Sequence, residues 1–187
     1  MQPKRPDSVK GEEKQFLIDI NKDNLARVIG FVNVYDGKAK FVLTMILALT
    51  AYFLAELPSY IDAHAAHPNG AWFAILDVLA AGCLGLFLWA AVLVILTIRP
   101  NVAQHSQKQS PFFFQSIASL SLDEFRATMG SLEEPQVISL LAEQTYDNAK
   151  VVASKHNRVR QSINRFFGGM IFFFLFTIGR AILLALS

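Results

Sequence analysis

Three long, predominantly apolar stretches decide what this chain can become. They are residues 41–57 (FVLTMILALTAYFLAEL), 72–98 (WFAILDVLAAGCLGLFLWAAVLVILTI) and 166–186 (FFGGMIFFFLFTIGRAILLAL). A helix crossing a bilayer needs about 20 such residues. The first stretch is short, the second long enough to tilt. The chain is 53% hydrophobic and only 17% charged, with 16 Phe, and these residues gather in the three stretches rather than spread over a soluble core. The single cysteine, Cys83, excludes an intrachain disulfide and sits in an apolar run as a space-filler. The polar opening, MQPKRPDSVKGEEK, has no apolar core of a cleavable signal.

Basic residues orient the spans. Lys4, Arg5, Lys10, Lys14, Lys22, Arg27, Lys38 and Lys40 precede the first, and Arg99, Lys108, Arg126, Lys150, Lys155, Arg158, Arg160 and Arg165 lie between the second and third. The loop PSYIDAHAAHPNGA between the first two has none. Positive charge stays inside, so the N-terminus and residues 99–165 are expected in the cytoplasm, with the short loop and the C-terminus outside.

The expected fold is an all-α integral membrane protein with a small helical cytoplasmic module. Its divisions are 1–14 disordered, 15–40 a cytoplasmic helix and hinge, 41–57 the first span, 58–71 an outer loop and 72–98 the second span. Residues 99–165 form the module and stalk, and 166–187 the third span. In the 15–40 helix, Phe16, Ile20, Leu25, Val28, Ile29 and Val32 mark one face. Gly30 and the Asp36-Gly37 step predict a break before the membrane. Ser121-Leu-Asp-Glu124 is a capping box that starts a short helix ending near Met129, before Gly130. Ser131-Leu-Glu-Glu134 reads as a second box, with Pro135 in the first turn. From there no Gly or Pro intervenes until Gly168. Ile138, Ala142, Thr145, Ala149, Val152, His156, Val159, Ile163 and Phe166 form a stripe at helical spacing, so the third span continues a cytoplasmic stalk helix about 45 Å long. That stalk has too few partners within one chain, which predicts a homo-oligomer.

Catalytic and metal chemistry find no support. Phosphate-cradling glycine loops, zinc-binding H-E-x-x-H and nucleophile-elbow motifs are absent. His64 and His67 beside Asp62 lack a fourth ligand. The reading is of a protein that is not an enzyme, has no cofactor or metal and binds no nucleic acid. Charges inside the spans carry more. Glu56, Asp77 and Arg180 all fall near the outer ends of their spans, where they either snorkel or form a network of Arg180 with Glu56 and Asp77. Gly82, Gly85, Gly168 and Gly169 permit close helix contact.

Several motifs occur in a characteristic order: YDGKAKF and a span, a second span ending in RP, SPFFFQSIASLSLDEF, then QTYDNAKVVASKHNRV and a last span. This order resembles the transmembrane effector family of Pycsar antiphage systems over about residues 30–187. The most specific pieces are the Asp36–Ala39 turn and the segment from Phe113 to Phe125, with Lys155 on the long helix. Gly37 stands where a polar residue is usual, and Lys40 where a small one is. The resemblance implies an effector that binds a cyclic pyrimidine mononucleotide, cCMP or cUMP, from a cognate cyclase. It then impairs the bacterial inner membrane and kills the infected cell. The residues fit such a ligand. Lys38, Lys155, Arg158 and Arg160 either offer cations for a phosphate or are the positive-inside flank of the spans. Phe112, Phe113 and Phe114 either offer rings for a base or pack the small cytoplasmic core, and Asp36 either bonds a ribose hydroxyl or caps a helix. The other reading of the same residues is a constitutive ion channel or a scaffold subunit with no nucleotide.

Overall fold

The computed structural model describes residues 7–66, 71–99 and 114–186. They form helices α1 (Asp7–Ala66), α2 (Ala71–Ile98), α3 (Phe114–Ser119), α4 (Leu122–Gly130) and α5 (Glu134–Leu186), and no strand occurs among the described residues. α1, α2 and α5 are each long and apolar enough to cross a membrane. The chain divides into two compact units, Met1–Val34 with Asn101–Ser154, and Tyr35–Pro100 with Lys155–Ser187.

The second unit is a three-helix bundle with one core. On α5 the buried positions are Lys155, Val159, Ser162, Phe166, Gly169, Phe173, Phe176 and Gly179, at spacings that alternate between four and three as far as Phe176. On α2 they are Phe73, Leu76, Cys83, Phe87, Ala90, Val94 and Thr97, and on α1 Ala39, Val42, Ile46, Phe53 and Tyr60. This alternation is the seam of coiled-coil packing. The opposite faces are also apolar, with Val78, Leu88 and Ile171 exposed. A helix apolar all round is suited to a lipid surrounding.

Glycines set the α2–α5 approach. A Cβ at Gly82 would meet the Phe172 ring at 2.6 Å, one at Gly169 the Phe87 ring at 2.5 Å, and one at Gly179 Leu76 at 2.8 Å. Gly82 and Gly169 match the expectation of close contact, and Gly179 adds a third. Gly85 has nothing within 4 Å, and Gly168 meets Leu86 only at an ordinary 3.4 Å.

α1 departs from expectation at both ends and in the middle. It is helical from Asp7, inside the stretch expected to be disordered, and it runs unbroken through Gly30 and Asp36-Gly37. Glu, Lys and Gln in its first turns are good helix formers, and a helix glycine costs only about 1 kcal/mol against alanine. The covered line Val32, Asp36, Ala39 and Val42 offsets that cost. The helix also passes Pro58 and ends at Ala66, inside the expected outer loop. In the turn that Pro58 loosens, the Ser59 hydroxyl donates to the Glu56 carbonyl at 2.9 Å.

The first unit holds the start of α1, the helices α3 and α4, and the start of α5. On α1 it covers Leu25, Val28 and Val32 partly and leaves Phe16, Ile20 and Ile29 exposed, so only half of the expected face is used. α4 begins as its box predicts. The Glu124 amide donates to the Ser121 hydroxyl at 3.3 Å, and the Ser121 amide donates to the Glu124 carboxylate at 2.8 Å. The expected second box is not formed. Ser131 ends α4, its amide donating to the Ala127 and Thr128 carbonyls, and α5 is capped instead by the Glu133 amide donating to the Gln136 side chain at 3.0 Å. Lys14 pairs with Glu134 at 3.2 Å across this unit.

α5 is one helix from Glu134 to Leu186, so stalk and third span are continuous. Its covered line differs from the expected stripe. Val159 and Phe166 lie on it, but Ala142, Ala149 and His156 are exposed, while Leu141, Lys155 and Ser162 are buried. Hydropathy points away from lysine and serine. They are inward because each has a partner there.

Candidate functional site

That partner, for Lys155, is Asp36. Within the second unit the Lys155 ammonium donates to Asp36 Oδ1, with side chains 8% and 27% exposed respectively. One residue over on each helix, His156 Nδ1 and the Tyr35 hydroxyl are hydrogen-bonded at 3.0 Å. Their rings meet edge to face at 5.4 Å. α1 and α5 are thus joined by two adjacent rungs, Tyr35–His156 and Asp36–Lys155. Lys38 lies over the Tyr35 ring at 5.5 Å. Buried charge is costly unless paired and hydrogen-bonded, and here one carboxylate meets that need.

Of the residues expected to contact a ligand, Asp36, Lys38 and Lys155 come together here. Arg158 is used otherwise. Its Nη1 donates to the Leu96 carbonyl at 2.7 Å. Leu96 is in the last turn of α2, where carbonyls lack helical partners, so the guanidinium caps that helix. Arg160 is exposed. Phe112 and Phe113 lie outside the described residues, and Phe114 opens α3 with only its backbone described. Tyr35 and His156 were not among the expected site residues. The signal was present in their positions, each next to a charged residue of the pair, but neither type announces a site alone.

The other end of the bundle holds the charges expected within the spans. Arg180 Nη1 donates to Glu56, and its Nη2 donates to the Ser59 hydroxyl at 2.6 Å. Arg180 is 16% exposed, and its Nε has no partner among the described residues. Asp77 stands outside this pair. It accepts from the Tyr60 hydroxyl at 2.6 Å and lies 3.6 Å from His64 Nε2. The expected network is therefore two separate links, α1 to α5 through Glu56 and α1 to α2 through Tyr60 and His64. His67 lies outside the described residues, and no group of three or more potential metal ligands occurs among the described ones. The Trp72 indole donates to the Gly179 carbonyl at 3.4 Å, beside Arg180. Nearer the Lys155 end, Arg165 stacks on Trp89 at 5.2 Å.

No curated protein and no solved structure matches the chain. A family model does, described as the Pycsar effector protein domain, over residues 21–183. That match contains the first two apolar stretches, most of the third and the Asp36–Lys155 and Glu56–Arg180 pairs, and the chain belongs to this family of antiphage defence effectors.

Proposed function

We propose that the chain senses a cyclic mononucleotide, cCMP or cUMP, on the cytoplasmic side of the bacterial inner membrane and answers by impairing that membrane. The observation that carries this reading is Lys155, a buried cation served by one carboxylate beside an aromatic–imidazole pair. A cyclic mononucleotide carries one negative phosphate and one flat base, and the Lys155–Tyr35–His156 group offers a partner to each. Arg165 and Trp89 form the amphipathic pair typical of a membrane interface. Lys155 is ten residues before Arg165, about 15 Å along the helix, a distance that supports a site on the aqueous side.

In this reading Lys38, Arg158 and Arg160 remain a cationic surround for the ligand, and Phe112, Phe113 and Phe114 a source of further rings. The N-terminus and residues 99–165 face the cytoplasm, and the C-terminus lies outside. Copies of the chain assemble, supported by the exposed apolar side chains Phe16, Leu17, Ile20, Ile29, Phe31 and Val34 on α1. Since α5 is continuous, displacement near Lys155 reaches the membrane part of the same helix.

The test is thermal unfolding of the full chain in nanodiscs against cyclic mono-, di- and oligonucleotides. Stabilisation by cCMP or cUMP supports the reading, and no shift with any of them refutes it. Dye release from liposomes with the stabilising nucleotide then shows whether binding breaches the bilayer.

A further inference from the structure

We propose that Asp36 is an internal competitor for the ligand's phosphate. It occupies Lys155 in the resting chain, and an incoming phosphate anion takes its place. The proposal rests on reading this site as a ligand site.

The argument starts from an asymmetry in the pair. Lys155 is 8% exposed and Asp36 is 27% exposed. A buried ammonium needs an acceptor at all times, because leaving it unpaired forfeits its hydration with nothing in return. The carboxylate can turn to water at smaller cost. The cation is therefore the fixed member and the carboxylate the removable one. A cyclic phosphodiester carries the same single negative charge as the carboxylate it would displace. The exchange keeps one anionic acceptor and a charge-assisted hydrogen bond on Lys155, while the released carboxylate carries its charge toward water.

The location gives the exchange a consequence. Asp36–Lys155 is the ion pair joining α1 and α5 at this end of the bundle, and Glu56–Arg180 joins the same helices at the other. The two acids are twenty residues apart on α1, about 30 Å. Between them the buried positions on α1 are Ala39, Val42, Ile46 and Phe53, which are apolar and offer no charge or side-chain hydrogen bond to hold α5. Displacing Asp36 unties one end while the other stays tied. Tyr35 and His156, on the neighbouring rung, are hydrogen-bonded to each other, so the same ligand meets both links at once.

The test compares wild type, Asp36→Asn, Lys155→Gln and the double variant, all full-length in nanodiscs, by calorimetric titration with cCMP, cUMP and inorganic phosphate. If Asp36 holds Lys155 in nine molecules of ten, its removal tightens anion binding by about tenfold, since apparent affinity scales with the competent fraction. Lys155→Gln abolishes binding with either residue at position 36. Asp36→Asn binding no tighter than wild type, or Lys155→Gln still binding, overturns the proposal. If wild type binds a nucleotide and Asp36→Asn binds it no better, the exchange fails and the sensor reading stands. If wild type binds no nucleotide, yet Asp36→Asn gains Lys155-dependent phosphate binding, the sensor reading fails and the exchange stands. Binding of no probe by any variant overturns both. Should Asp36→Asn not fold, Asp36→Ser replaces it. Failure of both to fold shows that the carboxylate is structural and overturns the proposal.

Discussion

Replacing Gly169 by alanine tests the close approach of α2 and α5. The new Cβ would stand 2.5 Å from Phe87 Cδ1 and 2.6 Å from Cε1. Carbon atoms at rest lie about 3.5–4.0 Å apart, so α2 and α5 must separate by about 1 Å. Alternatively the ring must turn, and Phe87 has no room to do so. It is 1% exposed and stacks on Phe166 at 5.8 Å. Overpacking of this kind costs about 1–3 kcal/mol, while alanine returns about 1 kcal/mol of helix propensity. Gly169→Ala is therefore expected to lose about 0–2 kcal/mol net. Gly85→Ala is the comparison, because nothing lies within 4 Å of its Cβ and only the propensity gain applies. Reversible unfolding in mixed micelles should separate the two variants by about 1–3 kcal/mol. Gly82→Ala falls between them, since the Phe172 ring it meets is half-exposed and can yield. If Gly169→Ala and Gly85→Ala unfold alike, the close approach at Phe87 does not hold the helices and the reasoning fails.

The far-end ion pair gives a second outcome. Arg180→Leu strands Glu56 and should cost about 1–3 kcal/mol, while Arg180→Leu with Glu56→Leu should cost less than the two single changes summed. An additive double-mutant cycle would mean that both charges merely reach to the interface. Ser162→Ala removes a fully buried hydroxyl that donates to the Ala90 carbonyl at 3.0 Å, and a loss of about 0.5–1.5 kcal/mol is expected in the same unfolding assay. In α4, the Ser121 backbone amide and then its hydroxyl hold the Glu124 carboxyl below its ordinary 4.5. The folded value is the lower one, so the cap is fully stabilising above pH 4.5 and is lost as pH falls through the folded value. Hydrogen exchange at the Ser121 amide, corrected for intrinsic rates, should rise in that window. A flat profile would refute the capping role.

Local chemistry in the sequence was enough for the parts that depend on neighbours in the chain. The three apolar segments, the Ser121–Glu124 cap and the unbroken passage of α5 into its apolar segment all follow from residues within a few turns of each other. The same local reasoning failed at Asp36-Gly37, where a weak helix position lies inside a helix held along its length. It failed again at Ser131, where the preceding helix took the cap. On α5 it put the covered stripe through His156 instead of Lys155. Within apolar segments, hydropathy carries little information about facing, because the outward side is apolar too. The inward side is marked by what needs a partner, such as Lys155, Ser162 and Arg180, or by what leaves room for one, such as Gly169. Those partners are Asp36, Ala90, Glu56 and Phe87, from 72 to 124 residues away for the hydrogen-bonded ones. The sequence alone therefore determined that this chain is helical, apolar in three stretches and built as a defence effector. Only the tertiary structure decided which charges meet, because burial of a charge is settled by the group placed across from it.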